Sequence, residues 1–344
     1  MPPLLEYVDS LLTGTGHDLD LRTFKLVDQL SGRMLGVRAD ITPQVARIDA
    51  HLLNRAGLTR LCYAGSVLHT VPSDMNRTRE PLQIGAEIYG HKGVESDIEV
   101  QRLMMQAMAA SGIGEAHLDL GHVAIFRALV RRARIAVALE SDLFRAMQLK
   151  DVPALRALTA RLDKTTREAL AALPDLYGGR DVLVAAAKRL PRYPEIRHAL
   201  RDLKRLSDAL GDVAKIRFDL AELRGYHYHS GVVFAAYAQG WSNALARGGR
   251  YDEVGKAFGR ARAATGFSMD LRELASARPN GGAKAGVLAP YKPADAALQK
   301  RITALRASGE VVIVDLPGHA STRRELGCDR QLTRRAGVWR VVKF

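Results

Sequence analysis

The sequence predicts an α+β protein in which strand-forming and helix-forming segments are separated along the chain, and three observations predict it. Arg60 to Gly90 reads as strand, polar loop and strand. Ile125 to about Gly211 is almost wholly helical in pattern, rich in Ala, Leu and Arg. Beyond a Pro-Asn-Gly-Gly stretch, the last sixty or so residues carry strand and helix patterns of their own. The expected division is a core of residues 1–122 and 212–276, a helical insertion at 123–211, a linker at 277–284 and a small α/β domain at 285–344.

The chain opens MPPLLE, which reads as a strand entered from something upstream, so an N-terminal element is expected to be missing. Residues 22–41 (RTFKLVDQLSGRMLGVRADI) read as a hairpin with Ser31-Gly32 at the turn, and Arg38, Asp40 and Thr42 share one face. Thr42-Pro43 then opens a helix, with Thr42 as N-cap, and Val45, Ile48 and Leu52 keep helical spacing until Gly57 closes it. Asp40 and Thr42 therefore sit at a strand-to-helix junction, where Thr42 serves either as a cap or as a ligand contact. In the second strand of the 60–90 segment, Gln83, Gly85 and Glu87 alternate with Leu82, Ile84, Ala86 and Ile88. An amide and a carboxylate flanking a glycine make a floor for a small polar ligand lying over Gly85, unless this is an edge strand whose polar face is solvated.

Glu95 to Ala110 reads as an amphipathic helix through Ile98, Leu103, Met104 and Met108, with the methionines as core filler. Leu118 to Gly121 is a short strand, and the helical insertion that follows, broken at Pro153, Pro174, Gly178-Gly179 and Pro191, has no catalytic pattern. Strand character returns at 215–221, before a polar and aromatic patch, RGYHYHSG, at 224–231. His227 and His229 lie two apart on a possible strand face, a spacing that can bind metal. With no carboxylate or third ligand nearby, stacking or hydrogen bonding to a ligand is the favoured role, and no metal or other cofactor is expected. Residues 247–256 read as a glycine hinge running into a helix, and Gly266 to Leu271 as the entrance to a helix under the sheet.

The balance of 51 Lys and Arg against 37 Asp and Glu gives a net charge of +14 in 344 residues. The charge is arginine-dominated and scattered, recurring in segments read as helical (127–134, 197–205, 323–335), with few aromatics interleaved for base stacking. The sequence therefore predicts no nucleic-acid partner. Cys62 and Cys328 stand alone, without a disulfide framework or zinc spacing. No apolar run approaches the roughly 18 to 20 residues of a membrane helix, and no leader is visible, so a cytoplasmic protein without membrane contact is expected.

Four ordered segments resemble the class II aminoacyl-tRNA synthetase family, and within it the histidyl-tRNA synthetase core: an antiparallel sheet with flanking helices. YAGSVLHTVPSDMNRTREPLQIGAEIYG is similar to motif 2, RADITPQVAR to the RPEGT segment, LRGYHYHSGVVF to the histidine signature, and ARGGRYDEVGKAFGRARAATGFSMDLREL to motif 3. The resemblance covers nearly all of residues 1 to 276. It assigns recognition of the histidine amino group to Asp40, Thr42 and Gln83, of the imidazole to Glu87, and of the carboxylate side to Arg224. Tyr228 matches the first of two signature tyrosines, His229 replaces the second, and Asp40 stands for a glutamate, a shorter carboxylate that implies a looser or water-bridged contact to the amino group. It also implies that the dimerisation helix of motif 1 is absent, through a misassigned start or with dimerisation impaired.

The departures bear on function. His69 and Glu273 stand where the synthetases use arginines to neutralise ATP, while Arg77 is kept in the loop. A carboxylate near a polyanion converts attraction into repulsion. The sequence further resembles the regulatory subunits of ATP phosphoribosyltransferase in PPLLEYVDSLLTG, FKLVDQLSGR, RADITPQVARIDAH and ELRGYHYHSGVVFAAY. That resemblance implies a subunit without chemistry of its own. It would assemble in a hetero-octamer with the short-form catalytic subunit and take L-histidine as feedback effector in the first step of histidine biosynthesis. The alternative is a working histidine–tRNA ligase. A phosphoribosyltransferase proper would need an acidic pair leading into a Gly/Thr-rich phosphate loop, and GHASTRREL at 318–326 is too loose a match.

Overall fold

The computed structural model describes residues 2–13, 17–72, 78–277 and 285–344, in two compact units, Met1–Ala277 and Arg278–Phe344. The first unit opens with β1 (Leu5–Tyr7), α1 (Val8–Leu11), α2 (His17–Arg22), β2 (Phe24–Val27) and β3 (Met34–Val37), and its three strands form a small antiparallel sheet in the order β1-β3-β2. Then come α3 (Thr42–Arg47) with a π-helical turn at Ile48–Leu53, β4 (Thr59–Ser66), β5 (Leu82–Tyr89), α4 (Val94–Ala110) and β6 (Ala116–His122). A helical stretch follows, made of α5 (Val123–Arg132), α6 (Val137–Gln148), α7 (Val152–Thr159), α8 (Lys164–Ala172), the two-residue β7 (Tyr177–Gly178), α9 (Asp181–Arg189) and α10 (Pro194–Leu210). The unit closes with β8 (Lys215–Asp219), β9 (Val232–Ala238), β10 (Ala246–Arg250), β11 (Ala264–Asp270) and α11 (Leu271–Ala277).

Eight strands of this unit form one sheet in the order β4-β5-β11-β10-β9-β6-β8-β7. All neighbours are antiparallel except β6 and β8. Parallel neighbours cannot be joined by a tight turn. The helices from α5 to α10 are the connection that this one parallel pair requires, so the helical stretch grows out of the crossover. Its apolar faces share one continuous core with the sheet through Phe126, Leu129, Leu155, Leu203, Phe218 and Phe234. Of the face predicted for α4, Met104 and Met108 are core but Leu103 is 45% exposed; Val100 and Met105 take the inward positions.

The second unit is a four-stranded sheet, β13-β12-β14-β15, built from β12 (Gly286–Pro290), α12 (Ala296–Ala307), β13 (Val312–Asp315), β14 (Cys328–Arg335) and β15 (Val338–Lys343). Here the helical reading of Arg323 to Arg335 is corrected. Leu332 of β14 packs with Trp339 of β15 against Leu298 and Ile302 of α12, and Ala336-Gly337, both at positive φ, turn the chain into a hairpin.

Other expectations are also revised. Thr42 is the first helical residue rather than the cap, and its hydroxyl turns away from the helix end to lie 3.0 Å from the Tyr63 hydroxyl. The α3 helix continues as the π-helical turn and ends at Asn54 in the left-handed region, not at Gly57. Arg247 to Arg250 is strand β10, not a hinge, and Gly266 to Asp270 belongs to strand β11, with α11 starting only at Leu271.

Two buried ion pairs tie loops to the sheet. Arg262 grips Asp49 at 2.7 and 2.8 Å. Arg250 meets Asp97 at 2.7 Å and Ser96 Oγ at 2.9 Å, and donates to the carbonyls of His91 and Gly93 at 3.1 and 3.0 Å. That arginine fixes the N-terminus of α4 against β10. Arg250→Met leaves Asp97 as an uncompensated buried charge, so the urea unfolding free energy should fall by about 3 to 5 kcal/mol. A loss below about 1 kcal/mol would mean that the packing of α4, not this arginine, holds the loop.

Candidate functional site

The site is laid out by strand register. Directly opposed residues share a face of the sheet, so Glu87 of β5, Gly266 of β11 and Gly249 of β10 form one row, and Gly85, Ser268 and Arg247 form the next. The glycines in these rows are places where a neighbouring side chain lies down on the backbone. A Cβ on Gly266 would fall 1.4 Å from Glu87 Oε2, one on Gly249 2.5 Å from the His229 ring, and one on Gly85 2.4 Å from the Tyr63 ring. Gly85 is covered by Tyr63 and lines neither cavity, whereas Gly249 and Gly266, beneath His229 and Glu87, belong to the lining of one. Neither face of β5 is a solvated edge: Gln83, Ala86, Glu87 and Ile88 are all buried, with β4 and β11 on either side.

A cavity of about 170 Å³ opens there, lined among others by Asp40, Thr42, Glu87, Tyr228, His229 and Tyr251. Glu87 is 1% exposed, and its carboxyl accepts from Tyr63 Oη at 3.1 Å, from Thr42 Oγ1 at 3.5 Å and from Tyr251 Oη. Burial pushes this carboxyl up to about 8, Asp40 adds to the rise, and the hydroxyls of Tyr251, Tyr63 and Thr42 oppose it. Glu87 is therefore protonated at neutral pH. Tyr251 Oη lies 3.2 Å from Tyr89 Oη, from which it can accept, and burial raises all three of Tyr63, Tyr89 and Tyr251 well above the ordinary phenol value, keeping them as donors. Tyr228 Oη is buried with no hydrogen-bond partner among the described residues, beside the Tyr251 ring at 5.0 Å between centroids. A hydroxyl so placed waits for a ligand or a water.

His229 is held neutral, its basicity pushed down to about 4 by burial. His227 is exposed, and both histidines lie in a turn between β8 and β9, so the shared strand face expected of them does not exist. Among the described residues, no cluster of His, Cys, Asp or Glu is placed to hold a metal ion.

A second cavity, of about 180 Å³, adjoins the first and is lined by Arg22, Asp40, His69, Gln83, Asp270 and Glu273 with others. Gln83 is fully engaged here. Its Oε1 accepts from the Ile41 N–H at 2.9 Å, and its Nε2 donates to Asp40 Oδ1 at 2.8 Å, which also accepts the Thr42 N–H at 2.9 Å. Gln83 thus sets the position of Asp40. His69 donates Nε2 to the Ala39 carbonyl at 2.9 Å, and burial lowers its basicity, so it brings no positive charge. Arg77 lies outside the described residues. Arg224 lines neither cavity; its guanidinium is 55% exposed, with Nε 3.7 Å from Glu222.

The structure thus gathers Asp40, Thr42, Glu87, Tyr228 and His229 around one space, puts Gln83 beside it, and leaves Arg224 outside. Sequence reasoning missed Tyr63, Tyr251 and Arg247. Tyr63 faces Gly85 across the β4–β5 ladder, so pairing the two strands would have found it. Tyr251 and Arg247 were hidden by reading β10 as a hinge.

Comparison with known proteins agrees with this architecture. A family profile described as histidyl-tRNA synthetase matches residues 1–274, and one described as ATP phosphoribosyltransferase subunit HisZ C-terminal domain matches 284–342. The ATP phosphoribosyltransferase regulatory subunit of Ralstonia pickettii is 60% identical over 343 residues, 100% of this chain and 88% of its own. A solved structure described as an ATP phosphoribosyltransferase regulatory subunit/histidyl-tRNA synthetase from Bacillus halodurans is similar at 30% identity and a TM-score of 0.79, covering 93% of this chain and 84% of that one. An ATP phosphoribosyl transferase (HisG:HisZ) complex from Thermotoga maritima contains a chain that shares the fold, with a TM-score of 0.60 at 17% identity over 78% of this chain and 89% of that one.

The raised Glu87 has a thermodynamic signature. The folded state holds this proton up to about pH 8, whereas the unfolded chain loses it near 4.5. The folded state therefore binds more protons between those values, and stability falls as pH rises across them, by up to about 1.4 kcal/mol per unit. His122 and His229, pushed down to about 3 and 4, act in the opposite sense and only below the ordinary histidine value of 6.5. Thermal unfolding between pH 6.5 and 8 should thus show a decline in the native protein that Glu87→Gln removes. Parallel slopes for the two proteins would mean that Glu87 is already ionised.

Proposed function

The chain belongs to the ATP phosphoribosyltransferase regulatory subunit family, and from that premise we propose that it regulates without chemistry of its own, with the Glu87 pocket as a sensor for free L-histidine. The observation that carries the reading is the contrast between the two adjoining cavities. One offers a protonated carboxyl, phenol hydroxyls and a neutral histidine ring around a space with a glycine floor. A neutral imidazole entering it takes the Glu87 proton into a shared hydrogen bond, and the Tyr228 hydroxyl, unpartnered among the described residues, gains a partner.

The other cavity is poorly suited to a nucleotide. It sets the carboxylates of Asp40, Asp270 and Glu273 against the guanidiniums of Arg22 and Arg247, and the neutral ring of His69 adds no charge. Adenylation needs preorganised cations around the phosphates, and each missing donor costs about a hundredfold or more in rate. This supports a binding role over a histidine–tRNA ligase. In this reading the partner is the short-form catalytic subunit, in a cytoplasmic hetero-octamer. Histidine would favour one arrangement of that assembly by no more than its difference in affinity between the two.

The test is phosphoribosyl-ATP formation by the purified short-form catalytic subunit, with and without this chain, across a histidine titration. The expected result is activation by the chain and reversal by histidine, with Glu87→Gln still activating but needing at least tenfold more histidine to be reversed. A folded chain that does not activate would overturn the assignment, and histidine-dependent ATP–pyrophosphate exchange would restore the ligase.

A further inference from the structure

The residues that line both cavities are Asp40, Arg247 and Ser268. Among the described residues shared by the two cavities, Asp40 supplies the anion and Arg247 the cation. Opposite charges shared by two adjoining spaces are what a zwitterion requires: a carboxylate for an ammonium group and a guanidinium for a carboxylate. We propose that Asp40 and Arg247 together read the α-amino and α-carboxylate groups of the ligand, and that Arg247, not Arg224, is the residue that holds the carboxylate.

The register supports the spacing. Arg247 lies opposite Ser268, one row along from the Glu87–Gly266–Gly249 row and two strands across from Glu87 on the same face. With strands about 4.8 Å apart and residue pairs about 6.8 Å along a strand, the two backbone positions are about 12 Å apart. That leaves room between a carboxyl head at one end and a guanidinium at the other for one ring and a short amino-acid backbone. Asp40 is fixed for its part by Gln83 and by the Thr42 N–H. Gln83 is then a positioning residue, acting on the ammonium group through Asp40. Arg224, more than half exposed and outside both cavities, has no such geometry.

This inference rests on the histidine reading, so the experiment separates the two. Calorimetric titration of the full chain with L-histidine and with histamine, which keeps the ring and the amine but lacks the carboxylate, measures the discrimination directly. The native protein should prefer histidine. Arg247→Gln should weaken histidine about tenfold to a hundredfold while leaving histamine unchanged, and Arg247→Lys should recover part of the preference. Unchanged histamine binding also shows that the pocket is still folded. Arg224→Gln carries the competing assignment and should leave the preference intact. If Arg247→Gln keeps the preference, or Arg224→Gln abolishes it, the proposal is wrong. If the native protein binds neither compound, the histidine reading beneath it has failed.

Discussion

The carboxyl of Glu87 is the constraint on which the site depends. It is buried, and an ionised carboxylate there would carry a large desolvation cost. It stays in place because it can keep its proton and because Thr42, Tyr63 and Tyr251 turn hydroxyls toward it. Each of those side chains comes from a different segment: the start of α3, the middle of β4 and the stretch just after β10. The carboxyl also needs the missing side chain of Gly266, since any Cβ there would collide with it. One acidic residue thus fixes what may stand at several positions far apart in sequence.

The same sheet accounts for the different character of the two cavities. The groups in contact with Glu87 are hydroxyls, with Asp40 and Arg247 at the boundary shared with the second cavity, where Asp270, Glu273 and Arg22 join them. The first environment suits an imidazole, the junction suits a zwitterion, and among the described residues neither concentrates the positive charge that a triphosphate needs. Binding without catalysis is then what the charge distribution supports. The sheet that carries the site is held from behind by Arg250 and by the helices of the β6–β8 crossover, which share its core.

Much of this was legible in the sequence, because period-two alternation marks half-buried strands whatever their partners. The strands at 24–27, 34–37 and 82–89 and the Asp40–Thr42 junction followed from it. What alternation could not give was cross-strand pairing. Gly85 drew attention as the gap in a polar face, but Tyr63 fills that gap from the neighbouring strand, and the working gaps are Gly249 and Gly266. Those two glycines sat in segments whose glycines and polar residues suggested a hinge and a helix entrance. An isolated glycine within a strand more often marks a close approach. The sequence context of Thr42 allowed a cap or a ligand contact, and only the tertiary structure shows its hydroxyl turned to Tyr63 and Glu87. Arg224 matched a family pattern in sequence, while its side chain lies by Glu222 and Tyr237, outside both cavities.

The protonation of Glu87 is the most direct point of attack on this account. Infrared difference spectroscopy, with Glu87→Gln as the reference, reads a buried carboxylic acid separately from ionised carboxylates. The account predicts a carboxylic C=O band at neutral pH in the unliganded protein that vanishes on titration past about pH 8 and shifts when histidine is added. A spectrum showing only carboxylate at neutral pH, unchanged by histidine, would contradict both the electrostatics of the pocket and its proposed role as a sensor.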